Sequence, residues 1–79
     1  MESAIDILTR FEENDDWLNV HYDELKNLYD NQWVAVLRNS VIDHDADYKQ
    51  LKKRLRQRYS QEYNEIATEY ITSQLDRLL

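Results

Sequence analysis

The chain contains no cysteine, no glycine and no proline, and each absence removes a class of protein. Without cysteine there is no disulfide and no thiolate metal site, and nothing asks for an oxidising compartment. Without glycine there is no phosphate-cradling loop, so the P-loop and dinucleotide-binding fingerprints are excluded. Turns must be built from Asn, Asp and Ser, which tolerate left-handed backbone or bond their own main chain. No apolar run approaches the roughly 20 residues that a bilayer-spanning helix needs. The opening MESAIDILTRF has neither the basic region nor the continuous apolar stretch of a secretory signal. A cytoplasmic protein with no membrane insertion is expected.

What is present fits one small domain. Seventy-nine residues leave little interior. An apolar share of 42% fills one compact core but not an enclosed substrate cavity beside it, so neither a small-molecule substrate nor a cofactor is expected. Domains of this size commonly need a staple, and oligomerisation as a homo-oligomer or docking on a larger protein is the one that remains. The net charge of −6 argues against non-specific nucleic-acid binding by the whole domain. That charge is partitioned. Residues 1–31 carry nine acids and two bases, whereas residues 49–58 carry six bases and no acid.

Ala4, Ile7, Leu8 and Phe11 fall on one face of a short amphipathic helix, with Ser3 as its N-cap. The stripe is interrupted at EENDD (residues 12–16), where Asn14 or Asp15 reads as a fresh N-cap. Continuity and a hinge are both open there. Trp17, Leu18, His21, Tyr22, Leu25, Leu28 and Tyr29 then repeat at helical spacing, and Asp30 with Asn31 ends the segment as a turn. Residues 32–37, QWVAVL, read as a strand apolar on both faces, which requires cover on both sides or a strand on either flank. Arg38, Asn39 and Ser40 make a tight connection with Asn39 at positive φ. Val41 and Ile42 begin a return strand. Asp45 is placed to cap the next helix, and Asp47 to favour its first-turn dipole.

That helix, residues 46–59, has a narrow apolar seam of Tyr48, Leu51, Leu55 and Tyr59, with bases over the rest of its surface. The C-terminal stretch is periodic both ways. Tyr63, Ile66, Tyr70 and Ile71 fit a helix, whereas the alternation and β-branched content of EIATEYIT fit a strand. A lone hairpin is marginally stable, and a third strand would complete it, which favours strand for residues 65–72.

The stretch WLNVHYDELKNLYDNQWVAVLRNSVIDHDADYKQLKKRL, followed by IATEYIT, resembles a small domain-of-unknown-function family common in archaea. Its members pair a W-V-A-V strand with a V-I strand at fixed separation. The resemblance covers residues 16–72 and implies helix, hairpin, helix, strand. It brings no activity, ligand or catalytic residue. This chain has Asn31-Gln32 and Asn39-Ser40 where the family usually places glycine.

Asp43, His44, Asp45 and Asp47 form the most site-like cluster, because carboxylates and an imidazole can hold a divalent metal. Residues alternating along a strand end do not converge, however, and capping accounts for Asp45 and Asp47. No metal site is expected. No nucleophile is paired with a base: Ser3, Ser40, Ser60 and Ser73 sit where caps and turns want them. His21 beside Trp17 and Leu25 reads as a hydrogen-bonded core histidine, so no catalytic residue and no enzyme are expected.

Two surfaces remain. Lys49, Lys52, Lys53 and Arg56, with Tyr48 and Tyr59 for stacking, suit a nucleic acid. The same bases also suit a solvated face that attracts the acidic helices, within a chain or between chains. The other surface is at the termini, where Ile5, Leu8 and Phe11 would anchor an amphipathic helix in a partner's groove and SQLDRLL ends the chain with leucines; packing of either terminus on the chain's own small core is the equal alternative.

The expectation is an α+β domain of αββαβ order, with a two- to three-stranded, mainly antiparallel sheet whose helices cover one face. Residues 1–15 form an N-terminal helix and acidic break, residues 16–72 the domain and residues 73–79 a tail. Its function is expected to be that of a non-enzymatic accessory or regulatory protein bound to a larger cytoplasmic complex. A ribosome- or nucleic-acid-associated factor and a small acidic antitoxin-like partner are the alternatives.

Overall fold

A computed structural model describes residues 3–74. The order is α1 (Ala4–Tyr29), β1 (Gln32–Leu37), β2 (Ser40–Asp45), α2 (Tyr48–Arg58), one turn of 3₁₀ helix (Tyr63–Glu65) and β3 (Ala67–Ile71). This is the expected αββαβ order, including the third strand. Leu75, Leu78 and Leu79, the leucines of the expected tail, lie outside the described residues.

The sheet order is β2-β1-β3, with β1 antiparallel to both neighbours. QWVAVL is apolar on both faces because it is the central strand of a sheet with a helix on each side. Val34 and Val36 pack with Leu18 and Leu25 of α1 and with Ala67 and Ile71 of β3. Ala35 and Leu37 pack with Leu51 and Leu55 of α2 and with Ile66. The expectation that the helices share one face is therefore corrected. β2 and β3 both oppose β1, so they run parallel, and their connection must cross β1. α2 makes that crossing on the face that α1 leaves open. Each fully buried Leu or Val in these clusters contributes about 1.5–3 kcal/mol.

Ser3 caps α1, accepting a hydrogen bond from the Asp6 N–H at 3.2 Å. The helix runs unbroken through EENDD, so of the continuity and the hinge that the sequence leaves open, the chain adopts continuity. Asn14 occupies a core position, 4% exposed, between Phe11 and Leu18. Its Nδ2 donates to the Glu65 carbonyl at 2.9 Å, so a polar residue continues the apolar stripe by capping a carbonyl of the 3₁₀ turn. At the other end, Asp30 accepts from the Ser73 N–H at 2.8 Å and tethers the end of α1 to the exit of β3.

The hairpin turn holds two non-glycine residues at positive φ, Arg38 (52°) and Asn39 (59°), and Asn31 (63°) makes the turn into β1. Paired positive φ values give the turn whose twist suits a two-residue hairpin. Arg38 adopts it at a cost of about 1–2 kcal/mol. A bulge opposite Ala35 and Val36 then places Ile42 and Asp43 toward α2 and Val41 toward α1. The cap of α2 is Asp47, which accepts from the Lys49 N–H at 2.9 Å and the Gln50 N–H at 3.4 Å. Asp45 was expected to cap α2. It closes β2 instead, and its carboxylate turns to α2 for another purpose.

Candidate interaction surfaces

Of the six bases on α2, Arg54 is structural, four form a stripe, and exposed Arg58 belongs to neither. Arg54 lies on the flank that faces β2. Its Nε donates to Asp43 Oδ2 at 2.9 Å, and its Nη2 to Asp43 Oδ1 at 3.1 Å and to the His44 carbonyl at 3.0 Å. Its Nη1 donates to Asp45 Oδ2 at 2.8 Å. This fork-to-carboxylate geometry is the strong form of an ion pair. The Arg54 hydrogen bonds hold the Asp43 carboxyl below its ordinary range. The Asp47 N–H, and then Arg54, do the same for Asp45. The two carboxylates in turn hold the guanidinium firmly charged.

Asp43 and Asp45 therefore converge on Arg54, and the His44 ring does not join them. His44 points to the α1 side, with Nδ1 bonded to Gln32 Oε1 at 2.6 Å and its ring centre 4.7 Å from that of Tyr29. No group of three or more His, Cys, Asp or Glu is placed to hold a metal ion among the described residues. His21 is half-buried at the edge of the α1 stripe, bonded through Nδ1 to the Trp17 carbonyl at 2.9 Å and stacked on Trp17 at 4.1 Å.

Lys49, Lys52, Lys53 and Arg56 repeat at i, i+3, i+4 and i+7, which puts them on one face of α2. With Gln57 they line a shallow hollow of about 440 Å³. None of the four forms an ion pair among the described residues. Beside the hollow, Lys52 also borders a notch of about 210 Å³ shared with Tyr48, Tyr63 and Asn64. Lys52 Nζ lies 5.9 Å from the Tyr48 ring centre, and the Arg56 guanidinium lies 5.3 Å from that of Tyr63. Trp33 backs Tyr48 at 4.5 Å. Of the tyrosines expected beside these bases, Tyr48 is at the notch, whereas Tyr59 packs into the core under α2. Tyr63 takes its place: periodicity puts it on the face of a C-terminal helix, and the 3₁₀ turn carries it to the notch instead.

The acidic helix sits across the sheet from this face, so among the described residues the two charge blocks do not meet within one chain. Glu12, Glu13, Asp16, Asp23 and Glu24 are exposed on α1. The helix is fixed to the 3₁₀ turn by Asn14 and by an ion pair from Arg10 Nε to Glu65 Oε1 at 2.6 Å. Residues 3–9 precede that attachment. There Ile5 is 75% and Leu8 55% exposed, three residues apart on neighbouring turns. Phe11, the third expected anchor, is half-buried against the Leu18 cluster and belongs to the protein's own core.

A polar cleft of about 400 Å³ opens between α1, the hairpin turn and the 3₁₀ turn, bordered by Arg10, Glu13, Arg38, Glu62 and Glu65. Arg38 lies 3.8 Å from Glu62, and Arg10 pairs with Glu65, so two of the cleft's three carboxylates face a cation. No serine, cysteine or histidine lines it. No helix of the described residues is long and apolar enough to cross a membrane.

Comparison with protein-family models matches residues 24–64 to a family of unknown function (DUF5678). No curated protein matches the chain, and no solved structure does. The match begins inside α1, runs through β1, β2 and α2, and ends in the 3₁₀ turn. The Arg54 clamp and the four-cation stripe lie inside it, whereas Ile5, Leu8 and β3 lie outside.

Proposed function

We propose, for a chain that belongs to DUF5678, a family of unknown function, a non-enzymatic role as an accessory protein that docks on a larger cytoplasmic protein through the start of α1. The observation that carries this reading is the exposure of Ile5 and Leu8 on helix that is already formed and capped. Ser3 caps these turns, and they precede the Arg10–Glu65 and Asn14–Glu65 attachments. A preformed helix loses little conformational freedom when a groove takes it, so two apolar side chains at i and i+3 are an efficient anchor pair. The core beneath is closed, and no buried side-chain polar atom of the described residues lacks a partner.

The test is the elution of the chain itself from size exclusion of source-cell lysate. The wild type should run within a complex larger than one copy. Ile5→Asp with Leu8→Asp should shift it to the position of the free chain while its circular dichroism and melting temperature stay unchanged. Substitutions on so exposed a surface usually alter stability by no more than about 0.5 kcal/mol. If the doubly substituted chain still elutes with the complex, docking through α1 is wrong.

A further inference from the structure

We propose that the outer face of α2 binds single-stranded nucleic acid, with Lys49, Lys52, Lys53 and Arg56 on its phosphates and the Tyr48–Tyr63 notch receiving a base. This goes beyond the docking reading and rests on different residues. The objection from sequence is that a chain of net charge −6 repels phosphate. The fold removes much of its force. The acids of α1 lie across the sheet, with two helices of about 10–12 Å diameter and the sheet between the outer surfaces. At physiological ionic strength the screening length is about 8 Å, so charge on one outer face is scarcely felt at the other.

The acids nearer α2 are already engaged. Asp43 and Asp45 are held by Arg54, Asp47 caps the helix and Glu62 faces Arg38. What a ligand meets on this side is four cations without carboxylate partners among the described residues.

Their spacing suits a strand of phosphates. From Lys49 to Arg56 the helix rises about 10 Å, roughly three steps at the 3.4 Å rise per nucleotide of a stacked strand, so about three to four phosphates lie within its reach. The aromatic component adjoins it. The notch holds two tyrosine rings, a lysine and the Asn64 amide, and at about 210 Å³ it is too small for a drug-sized ligand but open to one planar ring. Cations along a backbone track with aromatic faces beside them are the elements of sequence-tolerant single-strand binding. An acidic protein segment would use the four cations but would leave the ring-sized notch without a purpose.

The experiment is fluorescence anisotropy of the full chain with a short labelled oligouridine and with the matching oligodeoxythymidine. A duplex and a polyglutamate peptide serve as competitors. With three phosphates engaged, affinity should fall about 20-fold between about 50 and about 200 mM salt. Lys49→Glu with Lys52→Glu and Lys53→Glu should abolish binding, and Arg54 is left untouched because it holds the fold. Tyr63 also packs on the core, so Tyr63→Leu is used to keep its apolar bulk. It should weaken binding about 5- to 150-fold without changing the salt slope.

Ile5→Asp with Leu8→Asp should bind as the wild type does, which separates this proposal from docking through α1. Absence of salt-sensitive binding at about 50 mM salt would overturn the proposal, as would a triple substitution that binds normally. Equal competition by duplex or by polyglutamate would also overturn it, the latter assigning the face to an acidic protein.

Discussion

Among the described residues, Glu69 is an acid whose charged form the fold disfavours. It pairs with Val34 in the register of β3 on β1, which aims it toward α1 and the apolar cluster there. Burial raises its carboxyl above the ordinary value, and nearby Asp15 adds to that rise. A raised acid binds its proton more tightly in the folded chain than in the unfolded one. Its contribution is therefore favourable at low pH and is lost as pH climbs through the folded value. Asp43 and Asp45 behave in the opposite sense. Their lowered values supply stability that is present above about pH 4 and is lost as pH falls through the folded values. Glu69→Gln should accordingly raise the urea midpoint at pH 7 and leave it nearly unchanged at pH 4, where the wild-type carboxyl is already largely protonated. An equal gain at both pH values would show that the substitution acts through packing and not through charge. Neither effect is legible in the sequence, because strand register decides that Glu69 faces a helix and that Asp43 and Asp45 face an arginine.

At the scale of the element, α1 shows where sequence pattern is informative and where it stops. The seam of Leu18, Leu25 and Tyr29 is plain in the periodicity, and so is the Ser3 cap. The passage through EENDD is not, since polarity marks Asn14 as a break and only a distant carbonyl makes it a core residue. This has a consequence for where the domain begins. Deleting residues 1–9 removes the Ser3 cap, two exposed apolar side chains and the half-buried Ile7, and should cost about 1–2 kcal/mol. Deleting residues 1–15 also removes Phe11 and Asn14, opens the Leu18 cluster and leaves the Glu65 carbonyl without its donor. An unsatisfied buried group of that kind costs about 1–3 kcal/mol before any packing loss is added. The shorter deletion should melt cooperatively, somewhat below the wild type, and the longer should not fold. A longer deletion of wild-type stability would make the first half of α1 an appendage, as its composition suggests.

For the molecule as a whole, the arrangement that matters is one strand shared by two cores. The doubly apolar QWVAVL run makes a covered central strand legible, and the Leu51 and Leu55 seam makes α2 legible. Which helix takes which face is not written in either pattern, because it follows from the parallel relation of β2 to β3 and the crossing that this forces over β1. Stability for a chain of 79 residues should be about 4–12 kcal/mol, so neither core can be lost without the other. Leu18 and Leu51, both fully buried, stand on opposite faces of β1. Truncating either to alanine should cost about 2–5 kcal/mol. With side chains this well separated, the two costs should add to within about 0.5 kcal/mol. The chain carries its own reporters, since Trp17 packs on the α1 cluster and Trp33 on the α2 cluster. Trp17→Phe and Trp33→Phe variants each leave one indole to follow in urea. If β1 ties the two faces into one cooperative unit, each indole should report the same midpoint as the circular dichroism of its own variant. A fluorescence midpoint that departs from the circular dichroism in either variant would mean that one helix leaves the sheet first, and that the strand is shared without the faces being coupled.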